Sequence, residues 1–270
     1  MSKLVPLRDV ATLRLTPPAD ERWIERLRWV PLSPTQTHLA CRYFPLAVRV
    51  DDQQSKLGLL LGKAYIAHTL LSGDGQWRGA YRPIALRCFP FQAAGHGDDP
   101  LSDVAIAADS GFLSQGAGLP VLLDGKPNGW IVELHRLLRL LKRGEDAFAG
   151  AIDQLLIADL LEPLAATDDA ASADVASFHV LSPRRFAELG NSALGAMARH
   201  NFLSLDVAVA GLFSLQNLKP ELRPKRADRI GRSSADETAA FDTIAINDLP
   251  LALDDGELVP LSDLVPQPAG

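Results

Sequence analysis

The chain has 270 residues, 47% hydrophobic and 22% charged, a composition that excludes wholesale disorder and lets a core form without disulfide or metal staples. Its net charge of −6 leaves no overall basic surplus of the kind a nucleic-acid binder needs. No apolar run approaches the roughly 20 residues that cross a bilayer, and residues 1–20, interrupted by Lys3, Arg8, Asp9 and Arg14, hold no export-signal core, so a cytoplasmic location is expected.

Residues 4–15 alternate loosely and run into Thr16-Pro17-Pro18, which predicts a short strand and a turn. Trp23, Ile24, Leu27 and Val30 then fall at helical offsets, so a helix is predicted over 19–29, ended by Pro31 and Pro34. Residues 37–44 read as a short helix carrying Leu39, Ala40 and Tyr43 inward, and Pro45 forces extended backbone after it. Residues 46–50 and the continuous apolar run 57–61 are predicted as a hairpin around the turn 51–54, with the second strand buried on both faces. Ser72-Gly73-Asp74-Gly75 is a turn. Residues 77–91 read as an extended ribbon holding Trp77, Tyr81, Phe89 and Phe91 with Arg78, Arg82 and Arg87 between them, followed by a loop over 93–99.

Strands are predicted at 104–108 and 119–123, the second ending in the turn Asp124-Gly125. Asn128 is placed to cap a helix over 130–142, with Ile131, Leu134, Leu138 and Leu141 on one face and Gly144 closing it. A second helix is predicted over 147–161, burying Phe148, Ile152, Leu155, Leu156 and Leu160. The small, acidic stretch 165–176 reads as a linker, 178–181 as a strand, and 183–199 as a helix opened by Ser182 and Pro183. The apolar residues of 201–218 must be core or interface. From residue 233 onward there are eight acidic residues and no Lys or Arg, so residues 1–232 carry 27 basic against 25 acidic groups. Phe241, Ile244, Ile246, Leu249, Leu251 and Leu253 in that tail predict an extended segment suited to a sheet edge of its own domain or of a partner. The expected fold class is α+β. An N-terminal mixed or antiparallel sheet with hairpins occupies 1–163, a helical part over 177–218 packs on the same core, and a basic segment with the acidic tail fills 219–270.

Several of these segments carry a recurring pattern: Arg42-Tyr43-Phe44-Pro45-Leu46, Leu60-Leu61-Gly62, Gln76-Trp77, and the stretch from Tyr81-Arg82-Pro83 through Arg87-Cys88-Phe89-Pro90-Phe91. In these the chain resembles the SapC family of bacterial, surface-layer-associated proteins. Residues 119–125 resemble the family's Leu-Phe-Asp-x-x-Gly hairpin, with Val121-Leu122 where an aromatic is common, and residues 186–215 its C-terminal helix pair. The chain departs from the family where Ala11-Thr12-Leu13-Arg14 replaces a His-rich start and where Cys88 replaces a second arginine. The resemblance implies an accessory or substrate-presenting role beside flavin-dependent halogenases, cupin-like oxygenases or TonB-dependent receptors. It brings no established catalytic residues.

From the residues themselves, Trp77, Arg78, Tyr81, Arg82, Arg87 and Phe91 form the candidate binding set, because guanidinium and aromatic groups suit carboxylate, phosphate or polypeptide surfaces. In a strand, 78 and 82 would share one face and 87 the other. An alternative is a ferrous-iron oxygenase site, His96-Gly97-Asp98 completed by His135, His179 or His200. Cys41 and Cys88 sit in apolar runs and read as buried, reduced thiols. The sequence has no nucleophile elbow, phosphate loop or dinucleotide fingerprint, so no cofactor of those kinds is expected. The favoured reading is a binding protein for a protein or peptide partner rather than an enzyme.

Overall fold

Proline and glycine punctuate the first 130 residues so densely that strands there stay short and the chain turns often. A computed structural model describes residues 4–16, 18–50, 54–79, 81–95, 97–108, 110–164, 177–199 and 202–224. All of them fall in the first of the two units, Met1–Lys225 and Arg226–Gly270, into which the chain divides. The strands are β1 (Leu4–Pro6), β2 (Arg14–Leu15), β3 (Trp29–Pro31), β4 (Leu46–Val50), β5 (Ser55–Leu60), β6 (Phe91–Ala93), β7 (Val104–Ala107), β8 (Leu113–Ser114), β9 (Leu119–Pro120), β10 (Leu122–Leu123), β11 (Lys126–Pro127), β12 (Leu161–Pro163) and β13 (Ser177–Leu181). The helices are α1 (Thr37–Ala40), α2 (Ile84–Cys88), α3 (Pro100–Asp103), α4 (Gly129–Ile157), α5 (Pro183–Ala187), α6 (Asn191–Ala198) and α7 (Leu203–Ser214). The class is α+β, as the sequence indicates.

Five strands form the central antiparallel sheet in the order β12-β13-β4-β5-β3. Its nucleus is the predicted hairpin, in register from Leu46 opposite Leu59 to Val50 opposite Ser55. One face of that hairpin, with Leu46, Val48, Leu57 and Leu59, packs on Phe148, Ile152 and Leu155 of α4 and on Val207 and Ala208 of α7. The other face, with Ala47 and Leu60, is covered by Tyr65, Leu215 and Leu218, which explains why β5 is apolar without alternation. Each fully buried Leu or Phe here contributes about 1.5–3 kcal/mol. A smaller sheet runs β1-β7-β6, another β8-β2-β9, and β10 pairs with β11 as a hairpin closed by Asp124 and Gly125, both at positive φ.

Helix α4 runs 29 residues, about 43 Å at 1.5 Å per residue. The sequence places Gly144 as the end of a first helix, but the structure carries one helix through it. A Cβ at Gly144 would lie 2.9 Å from Pro34 Cδ and 3.0 Å from Ser33 Cα. The glycine therefore marks close packing against the 33–34 turn, which offsets its helix-propensity cost of about 1 kcal/mol. Asn128 does stand at the N-cap, yet its side chain caps nothing; its Nδ2 donates to the Pro120 carbonyl at 3.2 Å and ties α4 to β9.

Other boundaries shift for equally local reasons. The predicted helix 19–29 contracts to a 3-10 turn at Arg22–Arg26, because Trp29–Pro31 pairs with β5 as an edge strand. The predicted helix 183–199 opens as expected, with Ser182 Oγ accepting from the Arg185 N–H, but it breaks at Leu189-Gly190 into α5 and α6. Residues 202–214 supply both core and surface: α7 buries Val207, Ala208 and Ala210, while Phe202, Val209 and Phe213 remain exposed. Gly211 lets α7 approach β13, since its Cβ would meet Leu181 Cδ2 at 2.6 Å. The predicted linker 165–176 and the acidic tail with its sheet-edge segment lie outside the described residues.

Candidate functional site

The stretch 77–91 is not the strand that its aromatic and basic pattern predicts. Trp77 makes only a lone bridge to Leu71, and Pro83, which lacks an N–H and has helix-compatible φ, opens the short helix α2 instead. Pro90 ends that run, joined to Phe89 by a cis peptide, and β6 begins at Phe91. This break divides the six candidate binding residues between separate environments.

Trp77, Tyr81 and Arg82 turn inward and form a polar and aromatic knot. The Trp77 backbone N–H donates to Glu21 Oε2 at 2.6 Å, and Arg82 forms an ion pair with the same carboxylate while lying over the Trp77 ring at 5.6 Å. Phe44, in the core, stacks on Trp77 at 6.2 Å and meets Tyr81 at 6.4 Å; Gln36 Nε2 donates to the Tyr81 hydroxyl at 2.6 Å. Burial lowers the pKa of Arg82, and neighbouring Arg87 adds to the effect, so Glu21 is the group that keeps the guanidinium tolerable there. Sequence reasoning missed Glu21 because nothing local marks it; the pair closes across the fold.

Arg78 is exposed and lines a cavity of about 430 Å³ with Arg22, Lys63 and Glu25. Arg87 sits half-buried on α2 near Glu133, whose carboxyl is held low first by its hydrogen bonds to Arg136 and also by Arg87. Phe91, 5% exposed, packs against Trp130 at 5.9 Å between ring centroids.

Phe91 also lines a groove of about 640 Å³. One wall is β3, with Trp29, Val30 and Pro31; the opposite wall is the run from Phe89 through Ala93. Leu138 and Leu141 of α4, with Ala85 and Cys88 of α2, add apolar surface. Arg49, Lys56 and Lys142 face Glu145 as the one carboxylate among the lining residues, and both lysines share it, at 3.0 and 3.4 Å. Arg49 is exposed and lies over the Trp29 ring at 6.0 Å. Phe89 is fixed from behind by a parallel stack on Trp23, centroids 4.1 Å apart. Burial pushes the Cys88 thiol up to about 12, so at neutral pH it is an unreactive part of the wall. Phe91 is legible in the sequence as a site residue, whereas Trp29, Arg49, Lys56 and Lys142 are brought together only by sheet pairing and by α4.

Of the histidine and aspartate candidates, Asp98 and His135 lie in one neighbourhood: a Cβ at Gly97 would meet Asp103 Oδ2 at 3.0 Å, and that oxygen lies 3.5 Å from His135 Nε2. Asp98 is exposed and binds Arg139 Nη1 at 2.6 Å. His135, buried on α4, faces Asp103 of α3 at 3.5 Å, and His179 lies in β13 opposite Val48. His96 and His200 lie outside the described residues. Among the described residues, no three His, Cys, Asp or Glu side chains are placed to hold a metal.

A protein-family model, SapC, matches residues 8–220, a span that contains both the knot and the whole groove. No curated protein and no solved structure matches the chain.

Proposed function

Because the chain belongs to the SapC family, we propose that it is an accessory protein that binds a polypeptide partner in the groove between β3 and β6, in the cytoplasm. The partner belongs to a modifying enzyme of halogenase or oxygenase type or to an envelope receptor system. The observation that carries this reading is the position of the Phe89-Pro90-Phe91 motif: it forms one wall of the groove, and Trp23 holds Phe89 in place. A fixed aromatic wall with an exposed arginine beside it suits a protein-recognition surface, where aromatic and arginine groups anchor and flanking charges steer the encounter. Among the described residues no helix is long and apolar enough to cross a membrane.

The test places a photo-crosslinking amino acid at Gln92, an exposed groove residue, in the full-length chain within a native lysate. A discrete polypeptide adduct is expected at Gln92, weakened by Arg49→Glu, and none at exposed Ile157 of α4. Equal adducts at both positions, or an adduct at Gln92 indifferent to Arg49→Glu, would sink the reading.

A further inference from the structure

The two walls of the groove are sheet edges. β3 is the outer strand of the five-stranded sheet and β6 the outer strand of the β1-β7-β6 sheet. The Leu61 N–H donates to the Arg28 carbonyl at 2.9 Å and the Leu32 N–H to the Leu57 carbonyl at 3.3 Å, flanking the pairing of Val30 with Leu59. Antiparallel ladders alternate, so Val30 bonds to β5, and the Trp29 N–H and the Trp29 and Pro31 carbonyls turn away from it. On β6, the Ala94 N–H donates to the Asp103 carbonyl at 2.7 Å, which by the same alternation assigns Gln92 to β7 and turns the backbone groups of Phe91 and Ala93 outward. None of these outward groups has a backbone partner among the described residues. Pro31 on β3 is also what an edge strand tolerates and a central strand does not.

We propose that the groove takes up an extended acidic segment of the partner as an added strand, pairing with β3 on one side and β6 on the other; this rests on the groove being the polypeptide site. Main-chain hydrogen bonds supply affinity, and alternate side chains supply selection. The register puts Arg49 opposite Lys56, on the same face as Trp29 and Pro31. Arg49 and Lys56 lie on that face and Lys142 comes from α4, and three cations against one shared carboxylate select aspartate or glutamate in the added strand. The intervening residues meet the Leu138 and Leu141 side of the groove and select aliphatic side chains.

The probe is a ten-residue peptide alternating valine with aspartate, together with the same peptide N-methylated along one edge and a version with lysine in place of aspartate. On the full-length chain, the parent peptide is expected to slow amide exchange at Trp29, Phe91 and Ala93 at least tenfold. The N-methylated and lysine versions are each expected to bind at least tenfold more weakly. Equal binding of parent and N-methylated peptides, unprotected amides at those three residues, or no binding at all overturns strand addition. The Gln92 crosslink reads the groove independently, so its survival in that event leaves polypeptide recognition standing, and its loss removes both.

Discussion

The knot and the groove each draw on neighbouring parts of the segment 77–91, yet they dispose of the same residue types in opposite ways. In the knot, Arg82 and Trp77 are held by Glu21 and stacked on the core through Phe44, so charge and aromatic surface are consumed in holding the fold. In the groove, Phe89 and Phe91 are anchored from behind while Arg49 remains exposed over Trp29. An arginine beside aromatics in a sequence thus says little about binding until its counter-charge is located. Where a carboxylate of the fold claims it, as Glu21 claims Arg82, the cluster is structural; where none does, it is available to a partner.

Phe44→Ala attacks the knot from beneath and has the largest expected effect. Phe44 is 1% exposed and touches both Trp77 and Tyr81, and truncating such a residue costs about 3–5 kcal/mol. Urea unfolding should show that loss. A cost below about 1 kcal/mol would mean that the knot does not rest on the core. Glu21→Gln comes next, because it leaves the Arg82 guanidinium without its counter-charge. The side chains of Arg82 and Glu21 are 26% and 20% exposed, so the cost falls between the exposed and fully buried limits, at about 2 kcal/mol. A double-mutant cycle with Arg82→Met should recover much of it. Additive losses would show that the two residues act separately.

Arg49→Glu tests the other side of the comparison and should barely alter the fold. Its ring contact with Trp29 is exposed, so stability should change by less than about 1 kcal/mol. Association with an acidic partner should slow about tenfold at low salt and less at high salt, which stopped-flow mixing would read. If stability falls as far as in Glu21→Gln, Arg49 belongs to the scaffold and the distinction between the two regions fails.

What the sequence reveals of this arrangement follows the range of the interactions involved. The β4-β5 hairpin, the Asp124-Gly125 turn and the Ser182 cap depend on residues a few positions apart, and each is where its local chemistry puts it. Gly144 and residues 77–91 mislead for one reason: a tertiary partner decides between two locally allowed states. For Gly144 it is the Pro34 turn, and for the aromatic ribbon it is the Pro83-initiated helix packed on α4. The groove is legible only in part, through Phe91, because β3, β4, β5, β6 and α4 contribute to it from positions spread over more than 100 residues. Glu21 and Arg49 carry no local signal at all, since their roles are set by where other strands and side chains come to rest.

Cys88 lies between the two regions, at the end of α2, and gives the smallest effect near neutral pH. It lines the groove yet is 1% exposed, and burial raises its pKa from 9.0 to about 12. The native thiol therefore holds its proton more tightly than the unfolded one. Its contribution to stability is complete below pH 9, declines as pH rises through the interval, and is lost above about 12. At pH 8 an alkylating reagent should leave Cys88 unmodified in the folded chain and modify it fully in urea. Cys41, also buried and with its pKa raised chiefly by burial, should behave alike. Rapid native labelling at Cys88 would mean that the α2 wall opens in solution, and the groove would then owe its shape to the partner rather than to the fold.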